Sequence, residues 1–252
     1  MISEFPLFCF TTLAGLGIGA YAVNAVLPSE KEPRRTWLLP LVCLALLAVG
    51  LLCLPLHLGR PERMLIALTQ PGAMIAQEAY WAAAFGVVAL IDLILSKTKG
   101  TAPRALRIVG AIAALGLMCV MANAYYVSLG IAAWASWQTF PVYVLGDLAM
   151  GAALVMALRA DAAENAGFMW AALVLAVAAA ASFALEAAHF ASVGADATLL
   201  IVGAVVAVAG GAVLLTVKYG KLSAKTGSWM AFACLFVGVA LARYGFYAAC
   251  VL

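Results

Sequence analysis

The segment LHLGRPERMLIALTQPGAMIAQE, Leu56 to Glu78, sets one histidine, two arginines and two carboxylates into an otherwise almost unbroken apolar chain. His57 has the right unperturbed character to exchange a proton near neutral pH. Glu78, partly desolvated at the head of an apolar run, is suited to receive or relay one. Gly59 and Pro61 stop a helix abruptly and let backbone come close to a ligand. Elsewhere the ionisable groups inside apolar runs are few: Asp92, Asp147, Glu186, His189 and Arg243, with Asn123 and Tyr126 as polar neighbours. Such groups are costly in a bilayer and are functional candidates by default. Glu186 and His189 stand three apart, and Arg243 and Tyr247 four apart, so each pair shares a helix face. One His, a carboxylate, an Arg, a Tyr and aromatic walls suit a flat ring that is apolar in body and polar at two oxygens. Plainer roles stay open. Arg243 pairs with Glu78, Asp147 or Glu186, and Arg60 and Arg63 snorkel to lipid phosphate.

The elements that must position these groups follow from composition. Hydrophobic residues make up 67% of the 252 and charged ones 10%, with a mean hydropathy of +1.11. No single soluble core hides that much apolar surface, so a bilayer acts as solvent, and about 20 apolar residues are needed per crossing helix. Eight runs qualify: Phe5–Leu27, Trp37–Leu56, Ala76–Leu95, Leu106–Leu129, Phe140–Leu158, Phe168–Phe190, Thr198–Val217 and Trp229–Cys250. Ala- and Leu-rich runs of this length are helices, because backbone facing lipid must satisfy its own hydrogen bonds. The alternation of a β-barrel is missing. The expectation is an all-α integral membrane protein, one domain over residues 1–252, built as a bundle of eight transmembrane helices. The first run follows Glu4 rather than a basic cluster and reads as a retained helix, not a signal peptide.

Lys and Arg set the orientation. Lys31, Arg34, Arg35, Lys97, Lys99, Arg104, Arg107, Arg159, Lys218, Lys221 and Lys225 follow spans one, three, five and seven; the other side holds Arg60 and Arg63, with Arg243 inside the last span. Both termini are therefore expected to be non-cytoplasmic, with the Leu56–Glu78 strip on the same outer side and Asp92 near the inner one. The uncharged connection SLGIAAWASWQTFPVY carries Trp134, Trp137 and Tyr143, either an interfacial aromatic belt or contact surface for a partner or flat ligand. Gly-rich stretches such as GLGIGA and VAGGAV allow close helix approach. The six cysteines lie singly in apolar runs and read as small buried hydrophobes. No internal repeat is evident.

LHLGRPERMLIAL, followed by a Glu early in the next span, resembles the DmsC family, the membrane anchor subunits of dimethyl sulfoxide reductase-type molybdoenzymes. EFPLFCFTTLAGLGIGA, NAYYVSLGIAAWASWQTFPVY and ARYGFYA are similar to other parts of that family, in order along the chain. Arg60 directly after Gly59 departs from its commoner pattern.

The resemblance implies eight spans and a haem-free anchor subunit that oxidises menaquinol at the outer face of a bacterial cytoplasmic membrane. It implies two partners on that face: a four-cluster iron–sulfur subunit and a catalytic subunit carrying a molybdenum bis-pterin cofactor. Carried over by position, His57, Gly59, Pro61, Arg63 and Glu78 match the family's signature and Arg243, Phe246 and Tyr247 its terminal segment. The expectation is that His57 and Glu78 are the catalytic pair and that His57, Gly59, Arg63, Glu78, Arg243 and Tyr247 bind the quinol. Arg63 and Arg243 hold the proton-exchanging groups, and Trp134 and Trp137 form walls. No metal is expected in this chain. The acceptor reduced by the complex is a sulfoxide, an N-oxide or another small oxidised compound. Two other readings compete: a haem b carrier with His57 and His189 as axial ligands, and a transporter lined by the buried Glu, Asp and Arg.

Overall fold

A computed structural model describes residues 4–27, 35–57 and 64–249, without the side chains of residues 57, 64 and 160. Eight of its helices are long and apolar enough to cross a membrane: α1 (Phe5–Val26), α2 (Leu38–Cys53), α4 (Met74–Lys99), α5 (Arg104–Tyr126), α6 (Thr139–Leu158), α8 (Ala166–Ser192), α9 (Thr198–Lys218) and α10 (Ala224–Ala248). Two short helices, α3 (Met64–Ala67) and α7 (Ala160–Glu164), lie in connections, and a 3-10 turn over Leu54–His57 extends α2. No strand occurs among the described residues.

The helices form two closed rings of four. In the first, α1 packs on α2, α2 on α4, α4 on α5, and α5 back on α1; in the second, α6 packs on α8, α8 on α9, α9 on α10, and α10 back on α6. The rings join along a seam where α1 meets α6 and α10, and α6 also meets α5. The two central helices of the seam are the most enclosed: 72% of the α1 span and 67% of the α6 span are buried, against 28% for α4. The second ring thus repeats the first in order, with α6, α8, α9 and α10 standing for α1, α2, α4 and α5. This repeat leaves only faint marks in the sequence, because lipid accepts almost any apolar side chain and leaves little pattern to compare.

The seam is close-packed because small residues line it. A Cβ on Gly15 of α1 would run into the Asp147 carboxylate of α6, and one on Gly151 of α6 into the backbone of Gly19 and Ala20. Gly15 thus meets Asp147 midway along α1 and α6, and Gly19 meets Gly151 one turn further along both, so the two helices run parallel. Stripes of glycine and alanine let transmembrane backbones approach in this way. Of the described cysteines, Cys43 is buried and Cys119 is exposed, while Cys9, Cys53 and Cys234 lie between. The reading of all six as buried hydrophobes therefore holds fully for Cys43 alone among them; α5 turns Cys119 toward lipid, where a small apolar thiol is equally at ease. Cys250 lies outside the described residues.

At the end of the bundle where Lys97, Lys99, Arg104 and Arg107 gather, Asp92 is buried. It accepts hydrogen bonds from Tyr21 (2.9 Å), Ser96 (2.8 Å) and Arg107 Nε (3.2 Å). It is a buried ion-pair partner locking α4 to α1 and α5.

Candidate functional site

The polar residues of the opposite end divide into three groups. The first lies in the seam. Arg243 of α10 is fully buried, donates to Asp147 Oδ1 of α6 and to the Thr11 carbonyl of α1, and lies over the Tyr143 ring, 4.5 Å from its centroid. One turn later on the same face, the Tyr247 hydroxyl meets Tyr143 Oη at 2.9 Å and Thr11 Oγ1 at 3.1 Å, and donates to Tyr125 Oη at 2.7 Å. Tyr125 and Tyr247 are each the penultimate residue of their helix, α5 and α10, and so occupy equivalent places in the two rings.

The second group ties down the connection between α5 and α6. Glu186 of α8 is fully buried and accepts from Ser136 and Thr139, both at 3.4 Å. His189 Nε2 is 3.0 Å from the Ala132 carbonyl. Trp134 is buried, stacks on Phe246 with centroids 5.5 Å apart, and donates to the Phe246 carbonyl at 2.7 Å. Trp134 and Tyr143 are therefore core residues of this fold rather than an interfacial belt, while Trp137, 61% exposed, faces outward.

The third group is Glu78. It sits in the second turn of α4, is 7% exposed, and among the described residues has no hydrogen-bond partner. It lies within electrostatic reach of the Tyr125 hydroxyl. Nearby, Asn123 Nδ2 of α5 approaches Met74 Sδ at 3.4 Å. Tyr80 donates to the Leu68 carbonyl and Gln77 Nε2 to the Pro71 carbonyl, so the segment leading into α4 folds back along that helix. A largely buried carboxylate with no donor among the described residues is an arrangement that structural carboxylates avoid.

Comparison with known proteins places this geometry. Residues 1–248 match the family described as DMSO reductase anchor subunit (DmsC). The chain belongs to the DmsC family. It is also 33% identical over 165 residues to the C subunit of the anaerobic dimethyl sulfoxide reductase of Haemophilus influenzae, a match spanning 61% of this chain and 59% of that relative.

Against the residues expected of a DmsC-type site, the structure brings Arg243 and Tyr247 together, but in the seam, where Arg243 is committed to Asp147 and Thr11. The open choice of partner for Arg243 is settled in favour of Asp147. Glu186 and His189 share a face and each holds the 127–138 connection by a separate bond. His57 ends the 3-10 turn that prolongs α2; its side chain, with Gly59, Arg60, Pro61 and Arg63, lies outside the described residues. Sequence reasoning missed Tyr125. The signal available was its place in NAYYV, at the same helix position as the Tyr of ARYGFYA.

Proposed function

We propose that this chain is the quinol-oxidising membrane anchor of a respiratory reductase, with its proton-accepting centre at Glu78. The observation that carries the reading is Glu78 itself: buried, without a donor among the described residues, and at the end of a helix joined to the His57 turn by the family's signature strip. The DmsC family assignment supports the anchor role and favours neither a transporter nor a haem carrier.

Menaquinol bound there supplies two electrons and two protons. Each residue then has a part. His57 holds one ring oxygen and takes up the proton that this hydroxyl releases. Glu78 receives or relays the proton from a ring hydroxyl, a role in which positioned acids and bases contribute roughly 10²–10⁴-fold in rate. Gly59 allows backbone approach, and Arg63 stabilises negative charge on the acceptor side of the transfer. Tyr247 donates to the Tyr125 oxygen, which leaves the Tyr125 proton pointing away from that bond and free to serve Glu78 or the ligand. Arg243 acts one step behind, fixing the Tyr143 ring and through it the tyrosine cluster. Electrons pass to an iron–sulfur subunit and on to a molybdopterin subunit, both docked at the Glu78 end. That end faces away from the cytoplasm of a bacterial inner membrane, as the Lys and Arg distribution supports. The acceptor belongs to the sulfoxides, N-oxides or similar small oxidised compounds.

The test is Glu78→Gln in the assembled complex. Reduction of the acceptor driven by a menaquinol analogue is lost, while reduction driven by a soluble dye that feeds the catalytic subunit directly is retained. Unchanged quinol-driven turnover in that variant removes Glu78 from the mechanism.

A further inference from the structure

The two rings carry the same device on the flanks that face away from the seam. In the first, Lys97 Nζ from the last turn of α4 lies over the Trp37 ring at the head of α2, 4.0 Å from its centroid. In the second, Lys218 Nζ at the end of α9 lies over the Trp170 ring near the head of α8, also at 4.0 Å. The helix pairs correspond under the repeat, and both lysines stand at the basic end of the bundle. Beside each lysine, between the same two helices, runs an apolar groove. That of the first ring encloses about 350 Å³ and is walled by Leu41, Leu93 and Ile94, with Trp37 and Lys97 among its lining. That of the second encloses about 510 Å³ and runs from Leu173 and Leu215 down to Ala184 and Ala204. Its mouth is one turn from Trp170 and Lys218.

The eleven helical steps from Leu173 to Ala184 rise about 16 Å, close to the roughly 15 Å of one leaflet's hydrocarbon. A lysine at a bilayer surface ordinarily extends its ammonium outward to water. Here both are drawn over an indole face, which fixes the charge at the groove's upper end. In the first ring the clamp is reinforced: Thr36 Oγ1 donates to the Gly100 carbonyl at 2.6 Å and lies 3.3 Å from the Ser96 carbonyl, tying the head of α2 to the foot of α4. Cation, indole at headgroup depth and an apolar groove, short in the first ring and one leaflet deep in the second, complement a single kind of molecule. We propose that these flanks are a matched pair of binding sites, one per ring, for bilayer phospholipids with a net negative headgroup. The phosphate meets the lysine and an acyl chain lies in the groove. The sites are independent of the Glu78 centre.

The experiment reconstitutes the full chain in nanodiscs made mostly of phosphatidylethanolamine with a minor share of phosphatidylglycerol, then counts retained lipids by native mass spectrometry. Phosphatidylglycerol is expected to be enriched about fivefold over its bulk share at each site, the preference one lysine confers at a membrane surface. Lys97→Gln removes one bound anionic lipid and Lys218→Gln the other, whereas the arginine variants keep both. Ala181→Phe, which fills the second groove from the exposed side and leaves Lys218 in place, loses the same lipid as Lys218→Gln. Lys225→Gln, outside both grooves, loses none. Retention at the bulk ratio in the unaltered chain, an equal loss with Lys225→Gln, or no loss with Ala181→Phe overturns the proposal. So does displacement of the lipids by partner subunits, which would make a partner's helix the occupant.

Discussion

Arg243 and Asp147 form an ion pair in which neither side chain is reached by solvent, and it joins the last helix of one ring to the first helix of the same ring at the point where both touch α1. Among the described residues, Asp147 Oδ2 and Arg243 Nε have no hydrogen-bond partner, so the pair is held by a single charge-assisted bond, the Thr11 carbonyl and the Tyr143 ring. Removing one partner strands the other charge in a water-free seam, at about 3–5 kcal/mol. Asp147→Ala and Arg243→Ala each lower the melting temperature of the detergent-purified chain sharply. The double variant Asp147→Leu with Arg243→Met is more stable than either. A double variant as unstable as the sum of the two singles would show that the charges do not act as a pair.

Tyr125→Phe removes one hydroxyl and leaves the ring stacked on Tyr143 and edge-to-face with Trp134 and Phe246. Quinol-driven turnover falls by about tenfold or more if its proton serves the site, with dye-driven turnover unchanged. Tyr143→Phe, whose hydroxyl bonds Tyr247 and not Tyr125, has a smaller effect. Steady-state assays of both variants in membranes separate the two.

Gly203 of α9 and Gly238 of α10 face each other, and a Cβ on Gly203 would stand 2.6 Å from the Gly238 carbonyl oxygen. Gly203→Val pushes these backbones apart and costs about 1–3 kcal/mol as overpacking. Thermal unfolding reads that loss, and Gly72→Ala, in open space, gives the unaltered melting point.

Outside the spans, hydrogen bonding from Thr198, its side chain first and then its backbone N–H at 2.8 Å from Asp196 Oδ1, holds that carboxyl below the usual carboxylate range. A depressed value means the bond stabilises the head of α9 above the ordinary carboxylate pKa and is lost as pH falls through the folded value. Asp196→Ala therefore melts slightly earlier than the unaltered chain at neutral pH. The difference closes below about pH 4. A gap that stays constant across that range would assign the effect to something other than the ionised carboxylate.

The eight crossings were legible because hydropathy alone defines them, but their ends were not. α4 continues through Lys97 and Lys99, and α10 begins at Ala224 rather than Trp229: lysines at a membrane surface extend a helix that apolar counting truncates. The clustering of polar groups at one end was legible too, since each was placed by its distance from a span terminus. Which of them touch was not. Three carboxylates were candidates for Arg243, and spacing along a helix does not report what faces it from another. The choice of Asp147 depends on Gly15, whose missing side chain makes room for that carboxylate. Trp134 looked like an interface residue because it sits in a connection, yet that connection folds inward over α10 and is bolted there by Glu186. The twofold organisation left faint marks: Phe5–Pro6 and Phe140–Pro141 open equivalent helices, and α2 and α8 both start near a Trp and finish near a His.

The separation of Asp147 and Arg243 along the chain, 96 residues, has a bearing on biosynthesis. At a ribosomal pace of 5–20 residues per second, the helix carrying the aspartate leaves the ribosome roughly 5–20 s before the one carrying its counter-ion. During that wait the nascent protein must either hold a proton on the acid or keep the helix within the insertion machinery. The final helix therefore acts as the latch that completes assembly, and a chain truncated before it should be cleared by membrane proteases rather than accumulate.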